Sequence, residues 1–237
     1  MNNQSFYRWT AAVLIFEGVI FFVILAILGI AINWPASLDE PASVNLPLIL
    51  EQANGVRNGY MLYLIYSVLV LPIAVMVAYI TANGKRLNVA LQVSIGFGIA
   101  SAVLRVLGII RWLIPMPALA VAYTDDATSE STRESITIVY DMLNNYAGTV
   151  GEVLGVGFFA ALWLATLSLG IWQTRAFPRW FAFYGYLTAA GLSLGILEIW
   201  SVDVGLIIPV TVTMLQIWFL ILGGLLLFRS PSTINSA

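Results

Sequence analysis

Five ionisable side chains stand where few are tolerated. Glu17, Arg105, Arg111, Glu152 and Glu198 lie within or at the ends of long apolar stretches, in a chain whose 237 residues hold only 10 Lys plus Arg and 12 Asp plus Glu. An unpaired charge deep in an apolar medium costs about 2.5–3.5 kcal/mol, so each of these calls for a partner. Arginines beside glutamates have two ordinary uses. They fix the register of packed helices as ion pairs, or they line a pocket that holds a small polar or zwitterionic ligand or a lipid headgroup. A glutamate pair near an arginine can also do acid–base work. Here no nucleophile with an evident base and no metal-ligand spacing accompanies it, so no catalytic residue and no metal site is assigned.

The zero counts narrow the chemistry further. With no Cys there is no disulfide, thiolate nucleophile, iron–sulfur cluster or cysteine zinc site, and with no His the commonest ligand for haem, zinc and copper is missing. No cofactor is expected. A net charge of −2 without any basic run offers nothing to nucleic acid.

The elements that must position these residues follow from hydropathy. Apolar residues make up 60% of the chain and charged residues 9%, with a mean hydropathy of +0.93, too little polar surface to enclose so much apolar surface in water. The chain reads as an integral membrane protein. A hydrocarbon core of about 30 Å needs about 20 helical residues, and six stretches qualify, from about Tyr7 to Ile32, Tyr60 to Ala82, Asn88 to Ile114, Gly148 to Trp172, Trp180 to Trp200 and Gly205 to Phe228. The first is too long for a cleavable signal peptide and is kept as a span.

Charge sets the orientation. Arg8, Lys85, Arg86, Arg175, Arg179 and Arg229 fall on one side, whereas Asp39, Glu40, Glu51, Asp125, Asp126, Glu130, Glu134, Asp141 and Asp203 fall on the other with only Arg57 and Arg133 among them. The positive-inside rule makes the first side cytoplasmic and places both termini there. Trp9, Trp172 and Trp180 then lie near the inner boundary, and Trp34, Trp112 and Trp200 near the outer one, as an aromatic belt requires.

On the outer side, Ser131 with Glu134 reads as a capping box that opens a short interfacial helix with an apolar stripe of Ile136, Val139, Tyr140, Leu143 and Tyr146. Leu46 to Tyr60 is a weaker candidate of the same kind. Asn83-Gly84 is a turn, and Pro72 and Pro209 are expected to kink the second and sixth spans.

Depth and phase bring the charges together. At about 1.5 Å per residue, Arg105, Glu152 and Glu198 lie about 28–35 Å from the inner boundary, with Arg111 further out. Each shares a face with small residues: Gly98, Ser101, Arg105 and Gly108; Gly148, Gly151, Glu152 and Gly155; Gly191, Gly195 and Glu198. Small residues mark faces where membrane helices approach closely. We therefore expect a ligand-binding cluster of Arg105, Glu152 and Glu198 with Arg111, Asn144 and Asn145 near its outer mouth. Glu17 lies about 13 Å beyond Arg8, with no Arg or Lys expected at its depth, which makes it a candidate proton site. Its other use is a neutral hydrogen bond to a neighbouring helix. Trp163 and Trp218 read as packing residues.

Three segments carry a family resemblance: Arg105-Val-Leu-Gly108-Ile-Ile-Arg111-Trp112-Leu-Ile-Pro115, Leu143-Asn-Asn-Tyr-Ala-Gly148-Thr-Val-Gly151-Glu152, and Pro178-Arg179-Trp180. Together they resemble the domain of unknown function 4386 family. The resemblance implies a multi-spanning bacterial membrane protein, extends over nearly the whole chain, and carries over no catalytic residue.

The expected fold is thus all-α, a single six-span helical bundle over residues 1–237 with a short outer interfacial helix, in the cell membrane. The leading functional expectation is non-enzymatic: a sensor, carrier or accessory subunit that binds a small polar ligand or lipid headgroup in the outward Arg/Glu cluster. A proton-coupled secondary transporter and an intramembrane lipid-modifying enzyme are the alternatives. Membrane lipids, a homo-oligomer or a larger membrane complex are the expected partners.

Overall fold

The computed structural model describes residues 3–228, so Arg229 lies outside the described residues. Among these residues the helices are α1 (Asn3–Ile32), α2 (Ala42–Glu51), α3 (Ala53–Ala82), α4 (Val89–Leu113), α5 (Pro115–Thr124), α6 (Glu130–Gly148), α7 (Ala160–Thr174), α8 (Arg179–Ser193) and α9 (Ile207–Leu227). Two 3₁₀ turns (Ala36–Asp39 and Leu194–Trp200) and a wide-turned π segment (Thr149–Phe159) complete the order. Six continuous helical stretches are long and apolar enough to cross a membrane.

The six spans close into a ring in chain order. α1 packs on α3, α3 on α4, α4 on α7, α7 on α8, α8 on α9, and α9 returns to α1. Short connections on the basic side allow this. Asn83 and Gly84 turn the chain with φ of 51° and 77°, conformations that Asn and Gly tolerate, and Asn88 then caps α4 by accepting from the Leu91 N–H at 2.9 Å. The buried side chains form two apolar regions. One gathers Leu14, Trp163, Phe181, Trp218 and Phe219; the other gathers Phe21, Tyr60, Tyr66, Trp112 and Tyr140. Glu17 stands on α1 between Leu14 and Ile20, where the two regions meet.

At the acidic end, α2, α5 and α6 pack on one another and roof the bundle. The outer amphipathic helix starts at Ser129, two residues before the expected cap, with its hydroxyl accepting from the Thr132 N–H at 3.3 Å. It runs without a break into the π segment and α7, so it extends the fourth span. Its buried residues are Ile136 and Tyr140, whereas Val139 and Tyr146 are exposed. The buried Tyr140 hydroxyl accepts from Asn45 Nδ2 at 2.7 Å and donates to the Glu40 carbonyl at 3.1 Å. This polar seam holds the roof together.

Two local expectations change. Pro209 lies in the first turn of α9, where a backbone N–H has no intrahelical partner to lose, whereas Pro72 stands inside α3. Trp112 is buried and stacks on Tyr60 at 4.9 Å with planes 5° apart, instead of lying in an interfacial belt. Trp9, Trp172, Trp180 and Trp200 are exposed, and the Arg179 guanidinium lies over the Trp172 ring at 5.1 Å.

Candidate functional site

Glycines bring the third and fourth spans into backbone contact. A methyl group on Gly108 would fall 2.5 Å from Gly151 Cα, and one on Gly155 would fall 2.9 Å from the Arg105 nitrogen. Ser101 Oγ donates to the Gly155 carbonyl at 2.7 Å across the same seam. The small-residue stripes of these two spans therefore face one another, and the residues that flank the seam meet. The stripe of the fifth span faces elsewhere: methyl groups on Gly191 and Gly195 would meet Thr211 and Ile208 of α9.

Glu152 is carried by the π segment, whose wider turn shifts side-chain phase relative to an α-helix; such segments often occur at functional sites. Its Oε1 accepts from Arg111 Nη2 at 2.6 Å. The pair is asymmetric, with the Arg111 side chain 3% exposed and that of Glu152 44% exposed. Arg111 Nη1 also donates to the Gly108 carbonyl at 3.2 Å, its guanidinium lies 5.4 Å from the Trp112 ring centroid, and its Nε has no partner. Glu152 therefore pairs with Arg111, not with Arg105. The expectation from phase put Arg105 on the same seam correctly but did not see that its backbone lies against Gly155, while Arg111 passes Gly148 and reaches the carboxylate.

Glu198 is exposed on the 3₁₀ turn, and the charges that act on it are all acidic: Glu152, Asp39 and Asp203. Asn144 is spent on structure, its Nδ2 donating to the Leu38 carbonyl at 2.7 Å, and Asn145 is exposed. One buried guanidinium thus stands behind several carboxylates.

Deeper in the bundle, Arg105 turns away from this pair. It is 2% exposed, its guanidinium lies 5.7 Å from the Tyr66 ring centroid, and its Nη1 reaches the Tyr66 hydroxyl at 3.5 Å. Gln216 Nε2 donates to the same hydroxyl at 2.9 Å. Glu17 is fully buried nearby, and Arg105 is the charged group that acts on it. This corrects the expectation that no basic residue shares Glu17's depth. Depths read from the sequence start at the basic residues of the inner side, whereas α1 starts at Asn3 and α4 only at Val89. Counted from those starts, Glu17 and Arg105 lie about 21 and 24 Å along their helices.

A column of tyrosines joins the two levels. Tyr60, Tyr63 and Tyr66 recur at intervals of three on α3, with ring centroids 6.5 Å and 5.8 Å apart along the series. Tyr63 lies within electrostatic reach of Arg105, Arg111 and Glu152. Sequence reasoning passed over these tyrosines. Their spacing marks one helix face, a signal that is readable but looks like ordinary aromatic packing.

The fold and site define a helical, multi-pass membrane protein with charged side chains buried among its spans. Comparison with known families is specific: the model described as Domain of unknown function (DUF4386) matches residues 16–230. The chain belongs to this family. No curated protein and no solved structure matches it. Among the described residues no group of three or more Asp and Glu side chains is placed to hold a metal ion.

Proposed function

We propose that this protein binds a small zwitterionic molecule or a lipid headgroup at the acidic end of the bundle, as a sensor, carrier or accessory subunit. The observation that carries the reading is the asymmetric Arg111–Glu152 pair. A buried guanidinium with an unpartnered Nε stands behind an exposed carboxylate, which in turn neighbours Glu198, which Asp39 and Asp203 also approach. An anionic group of the ligand fits Arg111, and its cationic group fits the carboxylates at the rim, so both charges of a zwitterion are met. The acidic rim also attracts cationic groups over a Debye length of about 8–10 Å. By the positive-inside rule this end faces out of the cytoplasm.

Native mass spectrometry of the protein extracted in mild detergent tests the reading. A co-purifying non-protein species that is retained by the wild type and lost from an Arg111→Met, Glu152→Leu double variant is the expected result. A species retained equally by both would remove the pair from ligand binding.

A proton-coupled transporter is the second reading. It is favoured by one observation, the placement of Glu17 and Arg105 together at mid-depth below the ligand mouth. Solute-driven proton flux in proteoliposomes, abolished by Glu17→Gln, would select it over a static binder.

A further inference from the structure

Four side chains from four spans meet where the two apolar regions join: Glu17 on α1, Tyr66 on α3, Arg105 on α4 and Gln216 on α9. None is more than 2% exposed. Their polar inventory does not close within the protein. The Tyr66 hydroxyl takes hydrogen bonds from Gln216 and Arg105, yet Glu17 Oε1 and Oε2, Arg105 Nε and Nη2, and Gln216 Oε1 have no partner. Buried polar atoms left unmatched are costly, and charged ones more so. A partner of this site must accept from the Arg105 donors and donate to the free carboxyl and amide oxygens, and protonated Glu17 adds one further donor. Water does both, and a buried water typically makes about three hydrogen bonds. Packing beside the site is close and leaves no room there for a larger partner. A methyl group on Gly18, beside Glu17, would fall 2.7 Å from the Leu220 side chain and 3.1 Å from the Gln216 carbonyl oxygen, so α1 and α9 nearly touch next to the site.

We propose that Glu17, Tyr66, Arg105 and Gln216 enclose bound water at mid-depth, and that Glu17 exchanges a proton through it. In the forward step the carboxyl O–H bond breaks, its proton passes to the bound water while that water gives up one of its own toward solvent at the acidic end, and the carboxylate left behind faces the Arg105 guanidinium. The reverse step restores the acid. The charged and titratable groups around Glu17 are few. Arg105 faces it from α4 and Tyr66 from α3; α9 contributes Gln216 and has no ionisable side chain; α2, which touches α1 at its acidic end, carries only the exposed Glu51. The path points to the acidic end, because Tyr66 adjoins Tyr63 and Tyr63 lies within electrostatic reach of Glu152, whose side chain is 44% exposed. The four residues of the site are distinct from the Arg111–Glu152 pair of the ligand reading, and only the outer end of the path comes near Glu152.

pH-difference infrared spectroscopy of the reconstituted protein reads this exchange directly. The expected result is one protonated-carboxyl band that is lost on alkalinisation, shifts in D₂O, and is absent from Glu17→Gln while persisting in Glu152→Gln and Glu198→Gln. Glutamate labelled with ¹³C at the side-chain carboxyl identifies the band as a glutamate in the unmutated protein, should Glu17→Gln fail to fold. Tyr66→Phe should slow the deuterium shift without removing the band. Absence of any titrating glutamate carboxyl band, or a band that survives in Glu17→Gln, would overturn the proposal, and so would a band that never shifts in D₂O, which would show that no water reaches it.

Discussion

The asymmetry of the Arg111–Glu152 pair makes a quantitative prediction. Replacing Glu152 with Leu leaves Arg111, whose side chain is 3% exposed, as a buried guanidinium without its counter-charge. Stranding one partner of a fully buried pair costs about 3–5 kcal/mol. The figure falls to about 2–3 kcal/mol here, because Arg111 keeps its bond to the Gly108 carbonyl and solvent already screens the pair through Glu152. Replacing Arg111 with Met instead strands a carboxylate that is 44% exposed and can rehydrate, for a cost of about 1 kcal/mol. The double variant leaves no charge stranded and should cost about 1–2 kcal/mol, well below the sum of the single changes. Unfolding free energies from SDS titration in mixed micelles measure all three. If Arg111→Met proves as damaging as Glu152→Leu, or the double variant equals the sum, the buried-charge argument fails.

Other perturbations test other parts of the structure. Gly108→Ala drives a methyl group against the Gly151 backbone and should destabilise by about 1–3 kcal/mol, whereas Gly96→Ala and Gly224→Ala, with nothing within 4 Å, should be neutral or stabilising in the same SDS titrations. Tyr66→Phe removes the hydroxyl shared by Gln216 and Arg105 and should cost about 1–3 kcal/mol by denaturant titration, with Gln216→Leu in the same background recovering part of the loss. Asn144→Leu and Tyr140→Phe cut the roof from the 33–41 connection. Limited proteolysis should then cleave that connection faster while fragments of the spans stay resistant.

The number of spans was legible because burial in hydrocarbon is a local property of about 20 consecutive residues. The close approach of the third and fourth spans was legible too, since Gly108, Gly151 and Gly155 leave room that no other residue does. The roof was only half visible. Helical periodicity showed an amphipathic helix around residues 131–146, but a period does not say whether its apolar stripe meets lipid or protein. Packing against α2 and α5 decided that.

Which charge meets which was beyond the sequence for a physical reason. Spacing along one helix sets phase and depth, but pairing depends on where each helix begins and on side chains about as long as the gaps between helices. Arg111 reaches Glu152 across the glycine seam, while Arg105 turns to Tyr66 and the neighbourhood of Glu17. The sequence alone determined that a handful of charges had to be housed inside a six-span helical protein. Only the tertiary structure divided them into a part-exposed Arg111–Glu152 pair and a buried group around Glu17 and Arg105, because that division rests on contacts between residues as far apart in the chain as Tyr66 and Gln216.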